Sequence, residues 1–217
     1  MRLTGKHILF QGDSITDGNR YRDEAQRWDK NHQIGHSYVY LISALLGRRY
    51  AAERIVFTNR GVSGDTVQKL AARWETDALA LRPDMLSVLV GTNDAARNGG
   101  ADEVFCTAFE ESYASLLARS KAQNPALEIV LLEPFYLSLA ERDRPRRAAL
   151  DRLRTSVRSV AERAGAVFVP LQETFDRLCA VREPSYWLWD GVHPTESGHA
   201  VIAEAWLRAV LGEDPLL

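Results

Sequence analysis

Two short segments at opposite ends of this 217-residue chain hold residue types that can share a proton. Gly12-Asp13-Ser14 stands near the N-terminus and Asp190-Gly191-Val192-His193-Pro194 near the C-terminus. A serine hydroxyl is a weak nucleophile until a neighbouring base takes its proton. Histidine can be that base near neutral pH. A carboxylate on the other imidazole nitrogen fixes the tautomer and stabilises the imidazolium. Asp190 and His193 are three residues apart, so one loop can carry both, and Pro194 stiffens the chain beside the histidine. The chemistry this would support is acyl transfer from an ester to serine, and then to water.

Acyl transfer also needs donors for the oxyanion that develops on the carbonyl. The backbone N–H of Ser14, the N–H of Gly64 and the side-chain amide of Asn93 could supply them. Glycine at 64 leaves no side chain in the substrate's path. Each residue also has a plainer use. Ser14 could cap a helix, Asn93 and Asp94 could build a turn, and Asp190 with His193 could be a solvated pair. Asp13, beside the nucleophile, is a candidate for accepting loop amides and for touching substrate. Tyr186, Trp187 and Trp189 crowd the approach to Asp190. They could pack that loop or offer ring faces and an indole N–H to a sugar. Phe135 and Tyr136 could add a wall, with Tyr21, Trp28, Arg60 and Arg97 as weaker contacts. His32 and His36 show no clear partner and His199 reads as structural. No spacing of His, Cys, Asp and Glu matches a metal-ligand pattern.

These residues need a scaffold, and the hydrophobic pattern supplies one. Apolar runs at His7–Gln11, Ile55–Thr58, Met85–Val90, Ile129–Leu132 and Ala166–Val169 have strand length and little alternation, as parallel strands covered on both faces do. Between them, helical spacing marks Tyr38 to Leu46, Thr66 to Leu81, Phe105 to Ala122, Arg146 to Ala164 and Glu196 to Leu211. Such alternation predicts an α/β fold with a five-stranded parallel sheet wrapped by helices, in one domain over residues 1–217. In open sheets of this kind ligands lie beyond the carboxyl ends of the strands. Ser14, Gly64 and Asn93 follow the first three strands, and Asp190 and His193 lie between the last strand and the last helix. Two long irregular stretches, Thr16 to Ser37 and Phe175 to Pro194, are loops to associate with function.

Four blocks in register carry a family resemblance. Gly12-Asp13-Ser14-Ile15-Thr16, Asn59-Arg-Gly-Val-Ser-Gly64-Asp-Thr66, Gly91-Thr92-Asn93-Asp94 and Asp190-Gly-Val-His193-Pro194 resemble, in order, the conserved blocks of SGNH/GDSL hydrolases. Any one alone is weak, but the four span nearly the whole chain. Phe10 to Asp17, Leu70-Ala-Ala-Arg-Trp74 and Trp189 to Pro194 are further similar to the intracellular acetyl xylan esterases of that superfamily. The resemblance implies a three-layer α/β/α sandwich of flavodoxin-like SGNH type, with Ser14, His193 and Asp190 as a triad. It implies Ser14, Gly64 and Asn93 as the oxyanion hole. It also implies neither metal nor cofactor, acetylated xylo-oligosaccharides as substrate, and a homo-oligomer. The charged Arg22 to Asn31 stretch is particular to this chain and leaves the preferred sugar open.

Bulk properties narrow the alternatives. A net charge of -2, from 27 basic and 29 acidic residues without segregation, argues against nucleic acid and anionic membrane as partners. A 46% hydrophobic content suffices for one sizeable core. The N-terminal apolar run Ile8 to Phe10 is too short for a signal peptide or a membrane span, which reads as a cytoplasmic protein. Cys106 and Cys179 lack CxxC spacing and read as two buried free thiols. The rival functions are a long-chain lysophospholipase or acyl-CoA thioesterase, and a silent sugar-binding module. A nucleotide-binding flavodoxin-like protein is disfavoured, because no glycine-rich phosphate loop follows the first strand.

Overall fold

The computed structural model describes residues 3–23, 30–97 and 101–212. In chain order its elements are β1 (His7–Gly12), α1 (Ser14–Asp17), α2 (Lys30–Ile34), α3 (Tyr38–Arg49) and β2 (Val56–Asn59). Then come α4 (Val67–Asp77), β3 (Met85–Leu89), α5 (Thr92–Arg97), α6 (Glu103–Gln123) and β4 (Glu128–Leu132). The chain finishes with α7 (Arg144–Ala164), β5 (Val167–Val169), α8 (Gln172–Leu178), α9 (Pro184–Trp187) and α10 (Glu196–Leu211). The strands form one parallel sheet in the order β2-β1-β3-β4-β5. This is the α/β architecture expected from the apolar runs, with strand limits displaced by a residue or so.

Successive residues of a strand face opposite sides of the sheet, and β1 shows which helices lie where. Phe10 meets the rings of Tyr38 in α3 and Trp206 in α10. Its neighbour Gln11 instead reaches α4, donating to the Asp77 carbonyl at 2.5 Å and accepting from Arg73 at 2.9 Å. Ser87, paired with Phe10 in the register, accepts from the Trp206 indole at 3.0 Å. The α3–α10 layer thus covers one face and the α4 layer the other. On that second side Trp74 of α4 donates to Ser120 of α6 at 3.0 Å. Both indoles are fully buried with their N–H groups satisfied, as buried tryptophan requires.

Beyond β1 the chain moves to β2 on one side and returns to β3 on the other. The carboxyl edge between β1 and β3 is therefore a topological switch point, where open α/β sheets form their ligand crevice. Gly12, at the end of β1, has a φ of +154°. A Cβ there would run into the Leu89 carbonyl of β3 and the Thr16 hydroxyl. Glycine is what lets β1 and β3 close up directly beneath Ser14.

The irregular stretches carry short helices that periodicity does not reveal, α1 and α2 in the first, α9 and most of α8 in the second. Cys106 and Cys179 are free and half-buried, rather than fully buried. Among the described residues, no helix is long and apolar enough to cross a membrane.

Candidate active site

Ser14 is the first residue of α1. The cap is its neighbour Asp13, whose Oδ1 accepts from the Ile15 N–H at 3.0 Å. This frees the serine hydroxyl from the capping use that sequence allowed it. Ser14 Oγ lies 2.9 Å from His193 Nε2, and His193 Nδ1 lies 2.7 Å from Asp190 Oδ2. The other Asp190 oxygen accepts from the N–H groups of His193 at 2.7 Å and Val192 at 2.9 Å. Burial works to raise the Asp190 carboxyl, but the hydrogen bonds from His193 and Val192 outweigh it and hold the group below its ordinary value. A carboxylate so held keeps the Nδ1 proton facing it and leaves Nε2 to accept from serine.

The loop bearing the pair is fixed by its surroundings. Leu188 and Pro194 form an antiparallel bridge, and Trp189 N–H donates to the His193 carbonyl at 3.1 Å. Gly191 turns the chain at φ +84°, with its carbonyl accepting from Leu137 N–H at 2.9 Å. Leu137 is held in turn from α8. The fully buried Gln172 accepts from Tyr136 N–H at 2.8 Å and donates to the Tyr136 carbonyl at 2.9 Å. Buried Glu133 accepts from the N–H groups of Leu171 and Gln172 at 2.8 and 2.9 Å and pairs with Arg154 at 3.0 Å. No motif marks Gln172. It also donates to Asp176 Oδ1 at 3.0 Å, but the clamp itself is to backbone atoms of a segment thirty-six residues earlier, which leaves no local signal.

Asn93 bonds the chain neighbours of the other two oxyanion candidates, Asp13 beside Ser14 and Asp65 beside Gly64. Among the described residues, the N–H groups of Ser14 and Gly64 meet no protein acceptor, which leaves both open to a ligand. Gly64 has a φ of +80°, and among the described residues a Cβ would meet only Arg97, at 3.6 Å. Its backbone conformation, more than crowding, demands glycine. Asn93 lies in the first turn of α5 rather than in a simple turn. Its Nδ2 donates to the Asp65 carbonyl at 3.0 Å and to Asp13 Oδ2 at 3.3 Å. Asp94, fully buried, accepts from Val67 N–H at 3.0 Å and so joins α5 to α4. Burial pushes the Asp94 carboxyl up to about 6 and the Asp13 carboxyl up to about 7.

The proposed substrate contacts separate. Trp189 is 61% exposed, its ring stacked on His193 at 5.7 Å between centroids. Tyr136 is buried, packing against Gly191 and under Arg146. Asp13 is buried as well. Tyr186 and Trp187 lie in α9 and line a groove of about 670 Å³ shared with α8 and α10, whose lining does not include Ser14, Asp190 or His193. Phe135 is buried against Phe175, and Arg97 donates to the Gly64 carbonyl at 3.1 Å. Tyr21 is exposed, while Trp28 lies outside the described residues. His199 accepts from Tyr38 N–H at 3.1 Å, and burial brings it down to about 4. Among the described residues, no group of three or more His, Cys, Asp or Glu side chains could hold a metal ion.

Residues 10–201 match the model of the GDSL-like Lipase/Acylhydrolase family. The chain belongs to this family. This GDSL-like hydrolase is 35% identical over 213 residues to an acetylxylan esterase of Geobacillus stearothermophilus, covering 95% of this chain and 94% of that one. The crystal structure of an acetylxylan esterase from Geobacillus stearothermophilus superposes with a TM-score of 0.84 at 34% identity, over 97% and 96% of the two chains. Variants of it described as catalytic mutants replace a serine or an aspartate by alanine. The structure of a protein described as a GDSL-like lipase, from Parabacteroides merdae ATCC 43184, superposes with a TM-score of 0.88 at 36% identity over 97% of each chain. The GDSL-like hydrolase is accordingly a carboxylic ester hydrolase.

Proposed function

We propose that this hydrolase removes acetyl groups from short acetylated xylo-oligosaccharides, with Ser14, His193 and Asp190 as its triad. The observation that carries the reading is the continuous line of hydrogen bonds from Ser14 Oγ through both nitrogens of His193 to Asp190. His193 Nε2 takes the serine proton as Oγ bonds to the ester carbonyl carbon. The carbonyl oxygen, now an anion, rests on the N–H groups of Ser14 and Gly64 and the amide of Asn93. As the tetrahedral centre collapses, the bond to the sugar oxygen breaks and His193 returns the proton to that oxygen. The acetyl group is left on Ser14. A water deprotonated by His193 then attacks it, the bond from the acetyl carbon to Ser14 Oγ breaks, and His193 returns the proton to Oγ as acetate leaves.

An acetyl group is small, so the sugar must supply most of the recognition. The exposed face of Trp189 beside His193 suits the C–H face of a pyranose. The acetylxylan esterase relative supports the same class.

Turnover of p-nitrophenyl acetate tests the chemistry. Ser14→Ala is expected to lower kcat by at least about a thousandfold without loss of fold. Near wild-type turnover in that variant would remove Ser14 as the nucleophile. Acetylated xylose and xylo-oligosaccharides against octanoyl esters test the substrate. Preference for octanoyl would replace the sugar reading with a long-chain acylhydrolase.

A further inference from the structure

Asp13 is a buried acid to which the reaction above gives no task. It sits one residue before Ser14, 1% exposed. Its Oδ1 is committed to the cap of α1 through Ile15 N–H. Its Oδ2 faces Asn93. The amide nitrogen of Asn93 carries two hydrogens, and both are engaged in the resting enzyme, one by the Asp65 carbonyl at 3.0 Å and one by Asp13 Oδ2 at 3.3 Å. An oxyanion that is to use Asn93 must therefore take over one of them. The Asp65 bond is the shorter, and its acceptor is backbone fixed by the Asp65 N–H to Val62 carbonyl turn at 3.1 Å. The Asp13 contact lies just beyond the usual range for N–H···O bonds. The hydrogen on Asp13 is the one that can be given up.

We propose that Asp13 is a positioning residue that holds the Asn93 amide in the resting enzyme and yields its hydrogen to the oxyanion as that charge forms. The inference rests on the roles of Ser14 and Asn93 proposed above. The charged groups around Asp13 fit a carboxyl that must let go. Asp94 from α5 and Asp65 from the segment before α4 disfavour its charge, while His193 favours it. Burial is the largest influence, and it keeps a substantial share of the carboxyl neutral at neutral pH. A neutral carboxyl grips an amide less tightly than a carboxylate does.

A double-mutant cycle reads this coupling directly. Asp13→Ser keeps an N-cap oxygen for Ile15 but is too short to reach Asn93. The four enzymes are wild type, Asp13→Ser, Asn93→Ala and the double variant, with kcat and KM measured on p-nitrophenyl acetate. In the wild-type background Asp13→Ser is expected to lower kcat about tenfold with KM nearly unchanged. In the Asn93→Ala background the same change is expected to alter kcat by less than about twofold. An equal loss in both backgrounds would overturn the proposal, as would an Asn93→Ala enzyme with wild-type kcat. If circular dichroism shows Asp13→Ser to be unfolded, the isosteric Asp13→Asn takes its place in the cycle, with the same criterion of non-additivity. Ser14→Ala keeps the two readings apart. If it is inactive while the cycle is additive, only the role of Asp13 falls.

Discussion

Replacing Gly191 by alanine probes the link between the acid–base loop and the rest of the molecule. Gly191 lies between Asp190 and His193 at φ +84°. A Cβ built there stands 2.5 Å from the Leu137 carbonyl oxygen and 3.2 Å from the nearest ring carbon of Tyr136, against an ordinary contact of 3.4 Å or more. Restoring contact to the carbonyl requires a shift of 3.4 minus 2.5, about 0.9 Å. Leu137 gives way poorly, because its N–H is bonded to Gly191 itself and its neighbour Tyr136 is clamped by Gln172. The loop must therefore move. The left-handed backbone costs roughly 1–2 kcal/mol for alanine, and overpacking adds roughly 1–3 kcal/mol. A total of about 3 kcal/mol corresponds to a fall in Tm of about 6–12 °C for a chain of this size. A displacement near 1 Å in the groups that carry the proton can cost about a hundredfold in rate. Steady-state turnover of p-nitrophenyl acetate at 25 °C, with thermal denaturation in parallel, measures both effects. A Gly191→Ala enzyme whose kcat stays within about threefold of wild type would refute the claim that this contact sets the position of His193.

Two other expectations concern pH and sugar. His199 is neutral in the fold, and its value of about 4 lies below the ordinary 6.5. Between those pH values the unfolded chain binds the extra proton, so this residue's contribution to stability falls as pH drops from about 6.5 to about 4. Asp13, raised to about 7, works in the opposite sense, because there the native state holds the proton and stability falls as pH rises. The Tm of His199→Gln is therefore expected to rise relative to that of wild type on going from pH 7 to pH 5, and a difference between the two that does not change with pH would show that His199 is not an acid-sensitive group. Trp189→Ala is expected to raise KM for acetylated xylo-oligosaccharides about tenfold while leaving p-nitrophenyl acetate within about twofold, and equal effects on both would remove the sugar platform.

Much of this architecture is legible in the sequence because parallel strands buried on both faces must be continuously apolar, as β3 and β4 are. The long helices α6 and α7 show their period for the same reason, each burying one stripe. The short helices do not. Four or five residues make too few turns to display a period, and of these short helices α1 is marked by the Asp13 cap. By residue type Tyr186 and Trp187 fit either loop packing or a sugar platform, and the single turn of α9 sets both on the outer groove. Asn93 stands out by its type and its place after the third strand, but its position in the first turn of α5 and its bond to Asp13 depend on contacts between distant segments. Gln172 is invisible for the same reason, an unremarkable amide that clamps the backbone of the distant Tyr136.

The Gln172 clamp ties the acid–base loop to the margin of the sheet. β5 is an edge strand of only three residues, and α8 follows it almost at once. Edge elements of this size are among the first to open in native-state fluctuations. When that margin frays, Gln172 releases Tyr136, Leu137 loses its footing, and the turn at Gly191 goes slack. Heat would thus silence the molecule by loosening a rim strand well before the interior around Trp74 and Trp206 gives way.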